Sequence, residues 1–399
     1  MMAPYSCRWR WIDVRILHTA DWHLGKTLEG RSRLPEQEAV IDEMVEIVQK
    51  ENIDVVLLAG DAFDTVNPPA DAEKLFYEAL SRLSDYGKRH VVVIAGNHDH
   101  PGRLSAAAPI ANMHAITLLG FPTDRVQQIH VPSSDEMLMV GALPYPSEAR
   151  LNELLAEECD EALLRARYDE RIRAIFAKMN ESFREDAVNI AMSHLYVAGG
   201  ATCDSERPIE LGGAYTVSPA SFPARAQYVA LGHLHRPQDV KHAMMRARYS
   251  GSPLAYSFSE AGYSKSVTII DVQPRCTPII SEYLLSKGRP LVKWRAEGLA
   301  QVYRWIEEGR DRGAWIDLEI DVEQSLTLEE THRLRKLYDG FVHIRPNYLK
   351  KEEIVREVHT DVPIETLFTR FYERQTGGGK PSEEIVQLFL QLVAEEDEQ

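Results

Sequence analysis

Five apolar runs in this chain end the same way, on aspartate, asparagine or histidine. "RILHTA" leads into Asp21 and His23, "DVVLLAG" into Asp61 and Asp64, and "HVVVIAG" into Asn97, His98 and Asp99. Later, "VNIAMS" runs into His194 and "QYVALG" into His233 and His235. A short continuous apolar run reads as a strand buried on both faces. Between the first three lie "EQEAVIDEMVEIVQKEN" and "ADAEKLFYEALSRLSDYG", whose apolar residues recur at helical spacing. Strand, helix, strand, helix, strand predicts a layered α/β domain with parallel strands. The carboxyl ends of parallel strands share one sheet edge, so segments distant in sequence converge there.

Taken singly, each cluster is an ordinary turn. Together, five strand ends that all deliver Asp, Asn or His predict a metal site. Carboxylate, amide oxygen and imidazole without thiolate suit Mn²⁺, Fe²⁺ or Zn²⁺ better than a soft metal. Seven candidate ligands, Asp21, His23, Asp61, Asn97, His194, His233 and His235, exceed what one ion takes and fit two ions sharing a carboxylate. His233 and His235 are i and i+2, which an extended chain points to one side.

Composition limits the rest. With 399 residues, one large domain with additions or two domains are expected. The net charge of −16 repels a polyanion on average, so binding to nucleic acid needs a local source of positive charge. The cysteines Cys7, Cys159, Cys203 and Cys276 show no metal or redox spacing, which fits a reducing cytoplasm. "MMAPYSCRWRWID" lacks the apolar centre of a secretory signal and reads as a leader over residues 1–13, with Val14 as an alternative translation start. No apolar run approaches the roughly 18 residues of a membrane helix.

After a charged helical stretch near 149–183, further strands appear in "ARYSGSP" and "SVTIIDV". Shorter units from "SKGRPLVKW" onward predict a small second domain to about residue 347. Two short amphipathic helices close the chain. Ile364, Leu367, Phe368 and Phe371 repeat at offsets 0, 3, 4 and 7 behind Pro363, and Ile385, Leu388, Phe389 and Leu392 do so behind Pro381. Helices of about 12 residues are marginal alone, so each face needs a cover, either the parent domain or a partner.

The ordered series D-x-H, GDxxD, GNHD, H, GHxH resembles the calcineurin-like metallophosphoesterases over about residues 14–272. "ILHTADWHLGKTLEGRSR", "VVIAGNHDHPGRL", "YVALGHLHRPQDV" and "YSGSPLAYSFSE" are similar to the bacterial nucleases of the meiotic recombination eleven family. This resemblance implies a two-sheet sandwich flanked by helices at 14–280, an α/β capping domain at 285–347, and partner-binding helices at 360–397. It implies two Mn²⁺, one held by Asp21, His23, Asp61 and His235 and the other by Asp61, Asn97, His194 and His233. His98 would serve the departing oxygen, oriented by Asp64, while activated water attacks phosphorus in line.

The same resemblance implies a cytoplasmic, nucleoid-associated homodimer that works with an ATPase of the structural-maintenance type. The ATPase would receive Leu367, Phe368, Phe371, Leu388, Phe389 and Leu392. Exonuclease and endonuclease activity on double-stranded DNA ends and hairpins is implied, with Lys26, Arg31 and Arg33 available to backbone phosphates. The alternatives are a phosphodiesterase for a small ester and a non-catalytic scaffold.

Overall fold

The computed structural model of the chain describes residues 13–147, 161–206, 215–322, 326–348, 363–375 and 381–396. The leader up to residue 12 lies outside them. Two compact units emerge, one running to Ile320 and including Leu326–Pro346, the other formed by Asp321–Ser325 and Asn347–Gln399.

Two six-stranded sheets make the body of the first unit. The first has the order Ile279–Leu284, Ser266–Val272, Val14–Thr19, Val55–Ala59, His90–Ile94, Ile116–Leu119. Its last four strands run parallel, and the first two pair antiparallel. The second has the order Gln238–Asp239, Arg246–Tyr249, Tyr228–Gly232, Val188–His194, Glu136–Leu143, Val126–Val131, parallel through its centre.

Strand alternation divides the apolar residues between layers. Ile16, Leu57, Val92 and Ile94 face Leu138, Val140, Ile190 and Ala230 to form the core between the sheets. Leu17, Val56, Leu58 and Val93 point the other way, under the helices Leu34–Lys50 and Ala70–Leu83. On the far side Ala191, Val229 and Leu231 pack against Ile172, Phe176 and Met179 of the helix Glu161–Ser182. The result is the expected sandwich, helix, sheet, sheet, helix. Its strands read as unbroken apolar runs because both faces are covered.

The segment expected as a cap folds as a three-stranded sheet, Leu291–Ala296, Trp315–Val322 and Phe341–Tyr348, with helices Leu299–Glu307 and Leu328–Leu337. Its Leu291, Trp315 and Val342 form a small core with Leu28, Ala255 and Phe258 of the main body. Two guanidinium groups lie over the Trp315 ring, Arg31 at 5.2 Å and Arg289 at 3.7 Å from its centre, and its indole N–H donates to Glu36 at 3.0 Å.

In the second unit the helices Ile364–Gln375 and Glu383–Glu396 pair, with Phe368 stacked on Phe389 at 4.1 Å between ring centres.

Candidate metal centre

Each proposed ligand follows a strand of the sandwich. Asp21 and His23 come after Thr19, Asp61 after Ala59, and Asn97 and His98 after Ile94. His194 ends its own strand and pairs in register with Gly232, which places His233 beside it. The edges of the two sheets meet here. The His194 Nδ1 lies 2.9 Å from the Ala59 carbonyl, and the His233 amide donates to Asp21 Oδ1 at 2.9 Å.

Close approach of backbones explains the glycines before the motifs. A Cβ at Gly96 would overlap the carboxylate and amide of Asp61, and one at Gly232 would overlap the Ala59 carbonyl. Asp21, His23, Asp61 and His233 all carry positive φ, an uncommon conformation for residues with side chains. Such backbone strain persists only where the surroundings impose it, and it collects at functional sites.

The side chains converge as two overlapping groups. Asp21, His23 and His235 bring ligand atoms together in one, and Asp21, Asp61 and His194 in the other. The His23 and His235 Nε2 atoms are 3.0 Å apart. His194 Nε2 lies 2.8 Å from Asn97 Oδ1 and 3.5 Å from Asp61 Oδ2, and His23 Nε2 lies 3.7 Å from Asp61 Oδ2. Asp21 belongs to both groups, Asp61 reaches from the second toward His23 of the first, and the His233 ring is 5.5 Å from that of His194. Thus all seven proposed ligands lie at one sheet edge, and Asp21, His23, Asp61, His194, His233 and His235 are buried there.

The donor set fits a cation. His194 Nε2 lies within 3.5 Å of both Asn97 Oδ1 and Asp61 Oδ2, a grouping of imidazole, amide and carboxylate donors of the kind a divalent ion takes. Titration behaviour tells the same story. Burial pushes Asp21 up to about 7 against the pull of His194 and His235. Burial would likewise raise Asp61, but His194, His98 and His23 hold it well below the ordinary carboxylate range. Burial lowers His23 to about 3. It would lower His194 as well, but Asp61 and Asp21 overcome it and raise that imidazole to about 9. Two buried carboxylates thus draw a proton onto a ligand histidine, a role a divalent ion fills more fully.

Comparison with known proteins decides the family. Residues 14–237 match the calcineurin-like phosphoesterase model, and 287–376 match the type 5 capsule protein repressor C-terminal domain. The SbcD subunit of the nuclease SbcCD from Bacillus subtilis (strain 168) is 62% identical over 389 residues, covering 96% of this chain and 100% of that protein. The chain belongs to the SbcD family of calcineurin-like phosphoesterases. The corresponding SbcCD subunit from Rhodobacter capsulatus is 37% identical over 303 residues, 72% of this chain and 73% of that protein. Among solved structures, TT1561 of Thermus thermophilus aligns with a TM-score of 0.39 at 12% identity, covering 68% of this chain and 99% of that one.

Around this SbcD-family centre, two sets of expected residues have further partners. The His98 Nδ1 meets the main-chain carbonyl of Asp64 at 2.7 Å, while the Asp64 carboxylate lies 3.9 Å away. That carboxylate instead pairs with Lys26 at 2.8 Å and approaches His23 Nδ1 at 3.5 Å. Of the three basic residues, Arg33 is fully buried, bonded through two nitrogens to Glu36 and through a third to the Ala255 carbonyl. Arg31 donates to the carbonyls of Asp339 and Phe341. Arg33 is thereby enclosed, whereas Arg31 joins two parts of the protein and stays partly exposed. Lys26 stays at the site.

The terminal helices also divide the expected contacts. Leu367, Phe371 and Leu388 are exposed, whereas Phe368 and Phe389 spend their faces on each other. The side chain of Leu392 lies outside the described residues.

Several supporting residues escape a motif reading. Gln37 donates to the His23 carbonyl at 2.7 Å and accepts from the Gly25 amide at 3.0 Å, fixing the loop of Asp21 and His23. Its signal in the sequence is a polar residue in register with Val40, Ile41 and Met44 on an apolar helix face. Asp99 accepts from the amides of Gly96, Ala62 and Phe63, tying the GNHD turn to the GD turn. Cys203, half-buried nearby, has its thiol pushed up to about 12 by burial and by Glu260, which keeps it neutral. Among the described residues, no helix is long and apolar enough to cross a membrane.

Proposed function

We propose that this chain is the nuclease subunit of an SbcCD-type complex. It hydrolyses phosphodiester bonds at double-stranded DNA ends and hairpins, by exonuclease and endonuclease action, in DNA repair and recombination. The observation that carries this reading is the convergence of five strand ends on one buried cluster of carboxylate, amide and imidazole, in a chain 62% identical to a protein named as such a subunit.

Asp21, His23, Asp61 and His235 would hold one divalent ion, and Asp61, Asn97, His194 and His233 a second, with Mn²⁺ the favoured metal. When bound, these ions supply positive charge against the phosphate oxygens and acidify water. The protein's own groups do the rest. His194, fixed through Nδ1 on Ala59, keeps Nε2 aimed into the cluster. His98, fixed through Nδ1 on the Asp64 carbonyl, presents Nε2 at 3.9 Å from Asp61 Oδ2. In its charged form that nitrogen donates a proton toward the leaving oxygen. Lys26 adds charge beside Asp64, at a local site in a chain of net charge −16.

The partner reading follows the same line. The chain works as a homodimer in the cytoplasm, at the nucleoid, with an SbcC-type ATPase that receives the exposed residues Leu367, Phe371 and Leu388. The 285–347 segment acts as a capping domain beside the site. The test is degradation of linear duplex DNA with Mn²⁺ by the full chain, with and without the ATPase, compared with His98→Ala. Metal-dependent cleavage lost in the variant supports the nuclease. Hydrolysis of bis-p-nitrophenyl phosphate without any cleavage of DNA would point to a small phosphate ester.

A further inference from the structure

The stretch "YSGSPLAYSFSE" supplies no proposed metal ligand, yet its last residue is buried beside one. Glu260 is 1% exposed and lies 3.7 Å from the His235 Nδ1. Between them sits Ser205, whose Oγ is 2.7 Å from His235 Nδ1 and 2.6 Å from Glu260 Oε1. A carboxylate accepts, so the serine hydroxyl donates to Glu260 and its oxygen takes a hydrogen from His235 Nδ1. That leaves the other ring nitrogen, Nε2, with its lone pair facing His23 Nε2 at 3.0 Å.

The same carboxylate grips the rest of the residue. Lys265, buried and paired with Glu260, donates to the His235 carbonyl at 3.1 Å and to Ser252 Oγ at 2.9 Å. The His235 amide donates to Glu206 at 2.6 Å. Glu260 is itself anchored by the amides of Tyr256 at 2.9 Å and Ser257 at 3.1 Å. Ring, amide and carbonyl of His235 are therefore each fixed by a group outside the seven ligands.

We propose that Glu260 is a positioning residue, acting through Ser205 on the ring of His235 and through Lys265 on its backbone, so that His235 meets the metal with Nε2 in a set tautomer and direction. This rests on the metal-centre reading above. Hydrogen-bond partners behind a ligand histidine fix its tautomer and raise its basicity, and losing one typically weakens metal binding about 10- to 100-fold.

The test is Mn²⁺ binding to the full chain, followed by the paramagnetic resonance of free Mn²⁺, with apo thermal stability measured alongside. Ser205→Ala removes the relay from a partly exposed loop and is expected to weaken one Mn²⁺ site about 10- to 100-fold while leaving apo stability unchanged. Ser205→Thr, which keeps the hydroxyl, restores the affinity. Glu260→Gln shows the same loss, and Ser205→Ala remains decisive if that buried variant fails to fold. Wild-type affinity in Ser205→Ala overturns the proposal and leaves the metal centre standing. No Mn²⁺ uptake by the wild-type chain overturns both.

Discussion

The Nδ1 atom of His98 lies 2.7 Å from the main-chain carbonyl oxygen of Asp64, whereas the carboxylate of the same residue is 3.9 Å away. Orientation of the ring thus depends on where the backbone of the GDxxD turn runs. That backbone is itself held by Asp64 N–H on the Leu24 carbonyl at 3.2 Å and by Asp99 on the amides of Ala62 and Phe63.

His98→Ala therefore lowers kcat for phosphodiester hydrolysis about 10²- to 10⁴-fold, the range for losing a general acid. Asp64→Asn keeps the carbonyl and has a smaller effect. Steady-state kinetics on bis-p-nitrophenyl phosphate, with metal content checked on both variants, distinguishes the two. Equal losses would return the orienting role to the carboxylate.

Gly96→Ala places a methyl group where the Asp61 carboxylate and amide now sit. Overpacking of this kind costs about 1–3 kcal/mol, and here it displaces the shared ligand. The expected outcome is a chain that folds with a lowered Tm and loses most of its metal on dialysis where the wild type retains it.

His18, fully buried against Tyr228, has its pKa lowered to about 3 from 6.5, mainly by burial. The unfolded chain takes up a proton at His18 near pH 6.5 that the folded chain refuses until near 3. The contribution is thus fully present above pH 6.5 and is lost as pH falls from 6.5 toward 3. Chemical denaturation of the apo protein at about pH 5 and about pH 7 should show His18→Gln with a shallower loss, by about one proton's worth of slope. Parallel pH profiles for the two proteins would contradict this.

Leu367→Asp, Phe371→Asp and Leu388→Asp are expected to weaken binding of the ATPase partner at least tenfold without changing hydrolysis of a small ester. Phe368→Ala and Phe389→Ala instead break the stacked pair and lower the helical content of the hairpin. Pull-down affinity and far-ultraviolet circular dichroism separate these outcomes.

Trp315→Ala removes the ring that Arg31 and Arg289 lie over and leaves Glu36 without the indole N–H. Loss of a buried tryptophan costs about 3–5 kcal/mol. Proteolysis should then release the 287–346 segment faster than in the wild type.

The layered fold and the convergence of the candidate ligands are legible in the sequence because both depend on local rules. Apolar runs such as "DVVLLAG" need two covered faces, and parallel strands bring their ends together, so Asp21, Asp61, Asn97, His194 and His235 can be assembled from sequence order. What supports them cannot. Ser205 meets His235 across 30 residues and Glu260 across 55, separations that no periodicity relates. Arg33 reads as available because a basic loop residue is usually solvated, and only the fold shows Glu36 and Ala255 enclosing it. Asp64 reads as acting through its side chain, since sequence carries no sign of a carbonyl's direction.

His23 and His235 touch across 212 residues, and the strand leading to His23 is paired on its other side with Ser266–Val272. Until synthesis has passed Val272, that first strand keeps an unpaired edge, exposed to neighbours. Contacts of such long sequence separation form late and slowly. A chain that ends before Val272 therefore leaves that edge open, and one that ends before His235 lacks one wall of the cluster altogether.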